Sequence, residues 1–425
     1  MNRPAVQEME NRRAMLFVSS RYPGDVRTAV HGVFLRMRII LESIAAAGYE
    51  LRILFLTPPD ADCSAGACIR LQEELVAAWG VAAQVRLVPM RGAPVAPGVF
   101  SFYVHPALDP LSHAEYYPTC GQDQVGALAS ALRERPAAVF VHRLDAMGTL
   151  LRGGLAKPGM KVLFDIDDLE HKKEQRTLAS RPRGWKKALG LLYARALARL
   201  VSRSIRASDA TFVCSDADRA ELVAWLGASN VFVVPNAIAA PLTQMEPSQN
   251  PAVGFVGSFT YEPNVVAVER LIGEVWPIVR GLVPSARLII AGQKPERVPS
   301  FARHSPAVEF TGFVKEISDF YQRVTVVCCP IVSGGGTRLK IIEAAAFGRP
   351  VVATRIAAEG LAFEQDTEIL LAESSAELAS NCARLLSDST LYQSVASSAR
   401  KRYSGNYDRS CVVRECGAMI RSIVG

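Results

Sequence analysis

Short runs of consecutive apolar, often β-branched residues alternate along nearly the whole chain with segments whose apolar positions recur every three or four residues. The runs Ala14–Ser20, Leu51–Thr57, Val85–Val88, Ala138–His142, Val162–Asp165, Ala210–Cys214 and Val231–Val234 predict strands buried on both faces. Phe34–Ala47 and Gln122–Glu134 predict helices between them. Such alternation implies βαβ crossovers and a doubly wound parallel sheet. The stretch Ala239–Pro251 breaks the rhythm with Pro, Gln, Ser and Asn, as a linker does. The rhythm then restarts, with strands predicted at Val253–Gly257, Arg287–Ala291, Val308–Phe310, Val324–Cys329, Pro350–Ala353 and Ile369–Leu371. Helices are predicted at Pro263–Leu282, with Pro in the first turn, and at Thr337–Phe347. The expected division is a flexible N-terminus over 1–13, a first domain over 14–240, a linker over 241–251, a second domain over 252–400 and a helical segment over 401–425. The stretch Leu391–Val424 reads as helical, and the sequence leaves open whether it packs on its own domain or returns to the first. The expected fold class is α/β: two Rossmann-like doubly wound parallel-sheet domains facing across a cleft, with ligands at the carboxyl ends of the strands.

Composition changes this picture little. Of 425 residues, 49% are hydrophobic and 21% charged, which suits a globular enzyme and excludes a disordered tail. A net charge of +7 is compatible with a phosphate ligand or an anionic surface. Met1–Arg13 is polar, and no run approaches the ~20 apolar residues of a membrane span, so a soluble, cytoplasmic protein is expected, at most peripheral at the inner face of the membrane. The nine cysteines form no CxxC pair. Cys214, Cys328 and Cys329 lie in apolar runs as small core residues, and Cys63 and Cys68 share a loop, expected as a reduced pair.

The strongest local signal is Pro330-Ile-Val-Ser-Gly-Gly-Gly-Thr-Arg-Leu-Lys-Ile-Ile-Glu343, which follows a buried strand and opens a helix. Gly334, Gly335 and Gly336 allow backbone amides to approach a ligand closely, and Thr337 is placed as the N-cap. Arg338 and Lys340 would then sit in the first turn, opposing the helix dipole by about 0.3–1 kcal/mol each unless an anion is bound. Glu343 falls one turn past Lys340 on the same face, where a carboxylate can accept bonds from a ribose diol. The competing reading is a tight glycine turn followed by a Lys340–Glu343 surface pair. The segment is not a Walker loop, and no GxGxxG follows the first strand.

The run Val253–Leu361 resembles the C-terminal half of GT-B fold glycosyltransferases of glycosyltransferase family 4, the group 1 transferases. The residues that carry the likeness are Gly254-Phe-Val-Gly-Ser-Phe-Thr-Tyr-Glu-Pro-Asn264, Leu288-Ile-Ile-Ala-Gly-Gln293, Thr311-Gly-Phe-Val314 and the stretch Gly334–Thr354. In the first half Arg21-Tyr-Pro, His31-Gly-Val-Phe-Leu-Arg36, Ser215-Asp-Ala-Asp-Arg219 and Val234-Pro-Asn236 are similar to the family's other landmarks. The resemblance implies that Arg338 and Lys340 grip a donor diphosphate and that Glu343 binds the nucleotide ribose. It also implies that Gly32 lets a loop close on the phosphates, that Phe313 and Val314 face the base and that Ser258 lines the cleft. Two departures stand out: Gly335 occupies a position where many relatives carry a glutamate, and Thr260-Tyr-Glu-Pro-Asn264 lacks the cations found there in many relatives. With Arg338 and Lys340 in their stead, the pattern resembles the PEP-CTERM/exopolysaccharide-associated branch.

His142 ends a strand and is expected at the cleft; relatives often place a His there near donor sugar or acceptor, while a hydrogen-bonded structural His is the other reading. Asp165, Asp167 and Asp168 could suggest a metal, but acceptor contacts or loop capping are the expected roles, and no metal or other cofactor is expected beyond the nucleotide-sugar donor. Arg181–Arg206 contains no acid and interleaves Trp185, Leu189, Leu192, Tyr193, Leu197, Leu200 and Val201 with cations. It reads either as a core helix with a basic solvated face, the preferred reading, or as a surface lying on anionic lipid. The expected function is transfer of a sugar from a nucleotide-diphosphate donor to a glycan or lipid-linked glycan hydroxyl, retaining and metal-independent. The alternatives are a GT-B epimerase or phosphorylase, or a non-catalytic nucleotide-sugar-binding protein. No nucleic-acid module is present.

Overall fold

In the computed structural model, which describes residues 13–29, 32–91, 104–113, 116–167, 169–179, 184–241, 250–303 and 307–425, the alternation folds into two wholly parallel sheets. The first contains β1 (Ala14–Ser19), β2 (Glu50–Thr57), β3 (Ala83–Pro89), β4 (Ala138–His142), β5 (Lys161–Asp167), β6 (Ala210–Val213) and β7 (Val231–Val233), in the order β3-β2-β1-β4-β5-β6-β7. The central strands β1, β4 and β6 are almost fully buried, as continuous apolar runs require when helices cover both faces. Phe17, Phe140 and Phe212 stack across them, with centroids 6.0 and 5.5 Å apart.

The second sheet contains β8 (Ala252–Val256), β9 (Arg287–Ala291), β10 (Val308–Gly312), β11 (Val326–Cys329), β12 (Val351–Ala353) and β13 (Leu370–Leu371), in the order β10-β9-β8-β11-β12-β13. Each sheet turns back on its first strand, so a topological switch point lies beside β1 in one and β8 in the other.

The chain divides into two compact units, one running to Pro235 and joined by Val412–Gly425, the other Asn236–Cys411. The stretch Leu391–Val424, read as helical, forms two helices, Ser389–Asn406 and Arg409–Val424. The break is at Asp408, whose carboxylate accepts from the amides of Ser410 (3.0 Å) and Cys411 (3.3 Å) and so caps the last helix. That helix answers the open question about the C-terminus. Its Gly417 lies against the backbone of the helix Gly32–Ala46, where a Cβ would stand 3.0 Å from the Ser43 carbonyl oxygen. Arg421 donates to the Ala46 carbonyl at 2.6 Å. Among the described residues, no helix is long and apolar enough to cross a membrane.

Candidate functional site

In the second unit the glycine segment leaves β11 and enters a helix that begins later than predicted, at Leu339–Ala346. Arg338, not Thr337, is its N-cap, and no side chain caps it. Thr337 instead accepts from the Asn236 amide at 3.3 Å. The reason is the Arg338 side chain, which folds back over the loop and donates to the carbonyls of Gly335, Gly336 and, at 3.2 Å, Ser333. The loop therefore wraps a guanidinium rather than continuing the helix. Gly334 and Gly336 take the left-handed backbone this requires, with φ of 98° and 79°. A Cβ on Gly334 would also lie 2.3 Å from the Tyr261 hydroxyl. Gly334→Ala is expected to cost about 1–2 kcal/mol and to loosen the loop, read as a lower thermal midpoint; an unchanged midpoint would remove the constraint.

Lys340 occupies the first turn of that helix and is buried. Its ammonium donates to Asn264 Oδ1 at 2.8 Å and stands 3.9 Å from the centroid of the Phe255 ring. It makes no ion pair among the described residues, and burial pushes its pKa down to about 8. The expected alternative, an exposed Lys340–Glu343 pair, is not what forms. Glu343, half-buried, accepts instead from the Tyr321 hydroxyl at 3.3 Å, and burial raises its carboxyl above the usual range. Tyr321 is itself fully buried and stacked on Phe347, and its backbone carbonyl accepts from Arg349 at 2.8 Å.

The neighbouring loop supports the same spot. Asn264 holds Lys340 with its oxygen and donates from its nitrogen to the Ser258 carbonyl at 2.8 Å, tying the loop after β8 to the helix. Only glycine fits at Gly292, where a Cβ would stand 1.9 Å from the Gly257 carbonyl oxygen, while a Cβ on Gly257 would stand 2.8 Å from the Asn264 amide nitrogen and 2.9 Å from the lysine ammonium and push those side chains aside. Ser258 thus joins Arg338, Lys340, Glu343 and the glycine segment in one cluster at the carboxyl ends of β8 and β11. Phe313 and Val314 follow β10; Phe313 is 57% exposed, while Val314 is partly packed on the core. Asn264, Phe255 and Tyr321 were not singled out as site residues from sequence. Asn264, inside the quoted Glu-Pro-Asn, had a signal in its position at a helix start, but nothing local ties Tyr321 to Glu343.

The first unit carries a second polar cluster, set by strand register. Ser19, His142 and Asp165 are direct neighbours across β1, β4 and β5 at their carboxyl ends. Ser19 Oγ is 2.9 Å from His142 Nδ1, and His142 Nε2 is 3.8 Å from Asp165 Oδ2. Arg36, from the helix Gly32–Ala46, donates to Asp165 at 2.6 Å and to the Val234 carbonyl. All four side chains have little or no exposure. His142 was expected to face a cleft; it is instead fully buried against Phe17, and burial drives its pKa well below the ordinary value, keeping it neutral. Asp167 is held by Arg143 at 2.5 Å and by the Cys214 thiol at 3.1 Å. Arg143 and, after it, Arg36 outweigh the burial that would raise its carboxyl. The oxygens that suggested a metal are thus engaged by arginines, while Asp168 lies outside the described residues. Arg143 and Asp167 both take positive φ, 73° and 58°, unusual for side chains of this size. Gly32 is the first residue of its helix.

Residues 250–388 match the family model described as glycosyl transferases group 1. The chain matches no curated protein. Among solved structures, sucrose-phosphate synthase from Thermosynechococcus elongatus superposes with a TM-score of 0.69 at 16% identity, covering 97% of this chain and 99% of that one. Anabaena HepE in complex with UDP and glucose gives 0.62 at 15% identity over 96% and 100% of the two chains. A glycosyltransferase from Rickettsia africae gives 0.62 at 12% identity over 97% and 99%. At these identities the likeness is one of fold, and it extends over both units rather than the matched segment alone. Residues 250–388 are thus similar to the group 1 glycosyl transferases, and the chain as a whole has the GT-B fold, with its two Rossmann-like parallel-sheet domains.

Proposed function

We propose that the protein transfers a sugar from a nucleotide-diphosphate donor to a hydroxyl of a glycan or lipid-linked glycan, with retention of anomeric configuration and without a metal. The observation that carries this reading is a pair of cations, Arg338 and Lys340, that are 7% and 9% exposed and make no ion pair among the described residues. A buried cation without a counter-charge is expensive, and folds retain one where a ligand supplies the charge. A diphosphate brings that charge to the carboxyl ends of the strands, where parallel sheets bind ligands. Lys340 would neutralise one phosphate. Arg338 would move part of its bonding from loop carbonyls to the other, and its buried Nε, without a hydrogen-bond partner among the described residues, is a further donor. Glu343 would accept from the ribose diol, with the Tyr321 hydroxyl keeping it in place.

The same charges would stabilise the diphosphate as it leaves, which is electrostatic preorganisation with no side-chain nucleophile. A donor phosphate oxygen would take the acceptor's proton. His142, neutral and buried, would act by holding the strand ends rather than by touching the sugar.

UDP is the first probe, because the HepE structure holds it. Arg338→Ala combined with Lys340→Ala is expected to abolish donor turnover and lower nucleoside-diphosphate affinity at least about 100-fold. Glu343→Ala is expected to weaken nucleotide binding about tenfold. Near-normal turnover and affinity in the double variant would sink the reading. Donor conversion without acceptor, or dependence on inorganic phosphate, would replace it with an epimerase or a phosphorylase.

A further inference from the structure

The helix Trp185–Arg206 of the first unit contains six cations and no acid. One face packs inward through Ala194, Leu197, Leu200, Val201, Ser204 and Ile205, as the core reading of this segment requires. Gly190 allows the close approach of Leu178, whose Cδ2 would stand 2.5 Å from a Cβ there. The core does not use the whole apolar content, however. Trp185, Leu191 and Leu192, of which Trp185 and Leu192 were read as core residues, are 55%, 41% and 46% exposed.

At 100° per residue the exposed positions other than Lys186, namely Trp185, Ala188, Leu191, Leu192, Arg195, Arg199, Arg203 and Arg206, fall in one sector about 120° wide. That outward stripe is apolar over its first two turns and cationic over the rest. Arg195, Arg199, Arg203 and Arg206 make no ion pair among the described residues. The short helix His105–Leu108 packs on the same long helix and ends in Leu108, which is 82% exposed. A stripe of this kind, about 32 Å long, presents aromatic and aliphatic side chains beside a row of guanidinium groups.

We propose that this outward face lies on an anionic lipid surface, with Trp185, Leu191 and Leu192 entering the headgroup boundary and the four arginines meeting lipid phosphates. Charge complementarity selects an anionic partner, and the exposed apolar residues select a bilayer over a nucleic acid, which would leave them without a role. The stripe is solvent-facing on a helix already fixed to the core, so docking needs no refolding. The inference does not depend on the transfer reading, since none of these residues belongs to the donor cluster.

The test is partition of the full chain between buffer and vesicles, comparing phosphatidylcholine alone with phosphatidylcholine–phosphatidylglycerol. Binding is expected to the anionic vesicles only, and it is expected to weaken with salt. Arg195→Ala with Arg199→Ala is expected to lower the partition coefficient about thirtyfold. Lipids with brominated chains are expected to quench tryptophan fluorescence, and Trp185→Phe should remove that quenching. Nucleoside-diphosphate affinity without vesicles is expected to stay as in the unaltered chain. Matching thermal midpoints would show that the variants fold; the salt and quenching measurements on the unaltered chain carry the test even if they do not. Absence of binding to anionic vesicles overturns the proposal. So does undiminished binding by the double variant. Binding without chain quenching and matched by heparin would mark a polyanion site instead, and self-association abolished by the same substitutions, without vesicle binding, would mark a subunit interface.

Discussion

Lys340→Met is expected to do two opposite things: raise the stability of the ligand-free protein by about 1–3 kcal/mol and weaken nucleoside-diphosphate binding about 100-fold. Methionine fills nearly the same space between Phe255 and Asn264 and removes the charge that burial penalises. The penalty can be followed with pH. In the unfolded chain the ammonium titrates at its ordinary value of 10.5, and in the folded chain at about 8. Below pH 8 the folded protein carries the buried charge and bears the full penalty, on the order of 3 kcal/mol. As pH rises from about 8 towards 10.5 the folded state releases its proton first, so the penalty fades and the gap to the Met variant should close. Diphosphate affinity of the unaltered chain should fall as pH rises through about 8, because the neutral amine no longer attracts the ligand. The Met variant should lack that step. Urea unfolding and calorimetric titration across this range measure both effects. A Met variant that is less stable and binds normally would make Lys340 a structural residue.

The second large effect is expected at Arg36. Arg36→Met leaves the Asp165 carboxylate at 0% exposure without its guanidinium partner and frees the Val234 carbonyl, a loss of about 3–5 kcal/mol. In a unit of this size that lowers the thermal midpoint by roughly 10 °C. Adding Asp165→Leu should recover at least half of the loss, because it removes the stranded charge rather than restoring a bond. Both outcomes are read from urea unfolding monitored by circular dichroism. A single variant within about 1 kcal/mol of the unaltered chain would show that the cluster at the ends of β1, β4 and β5 contributes little to the fold.

Much of the architecture was legible because a strand buried on both faces must be apolar at consecutive positions, and β1, β4, β6, β8 and β11 are. Less legible was β3 at the sheet edge, where Leu87 alone is buried and the other residues are half-buried or exposed, so that only Val85–Val88 stood out. The C-terminal break at Asp408 was missed for a related reason. Helical residues continue on both sides of it, and the cap depends on one carboxylate turning back to two amides.

The glycine segment stood out in the sequence because three glycines and two cations fall within seven residues just after a buried strand. What sequence alone determined was that Lys340 and Glu343 lie on a helix that opens after that loop, together with the doubly wound parallel class of both sheets. Tertiary structure alone decided how the three are used. Arg338 turns back onto loop carbonyls, Lys340 goes to an asparagine 76 positions away, and Glu343 goes to a tyrosine 22 positions away. It also buried His142 and left Trp185 outside. Sequence pattern reports which side chains a helix or strand can present to an apolar or polar environment. Which partner stands there is set by strand order and register, and these bring together residues that no local spacing connects.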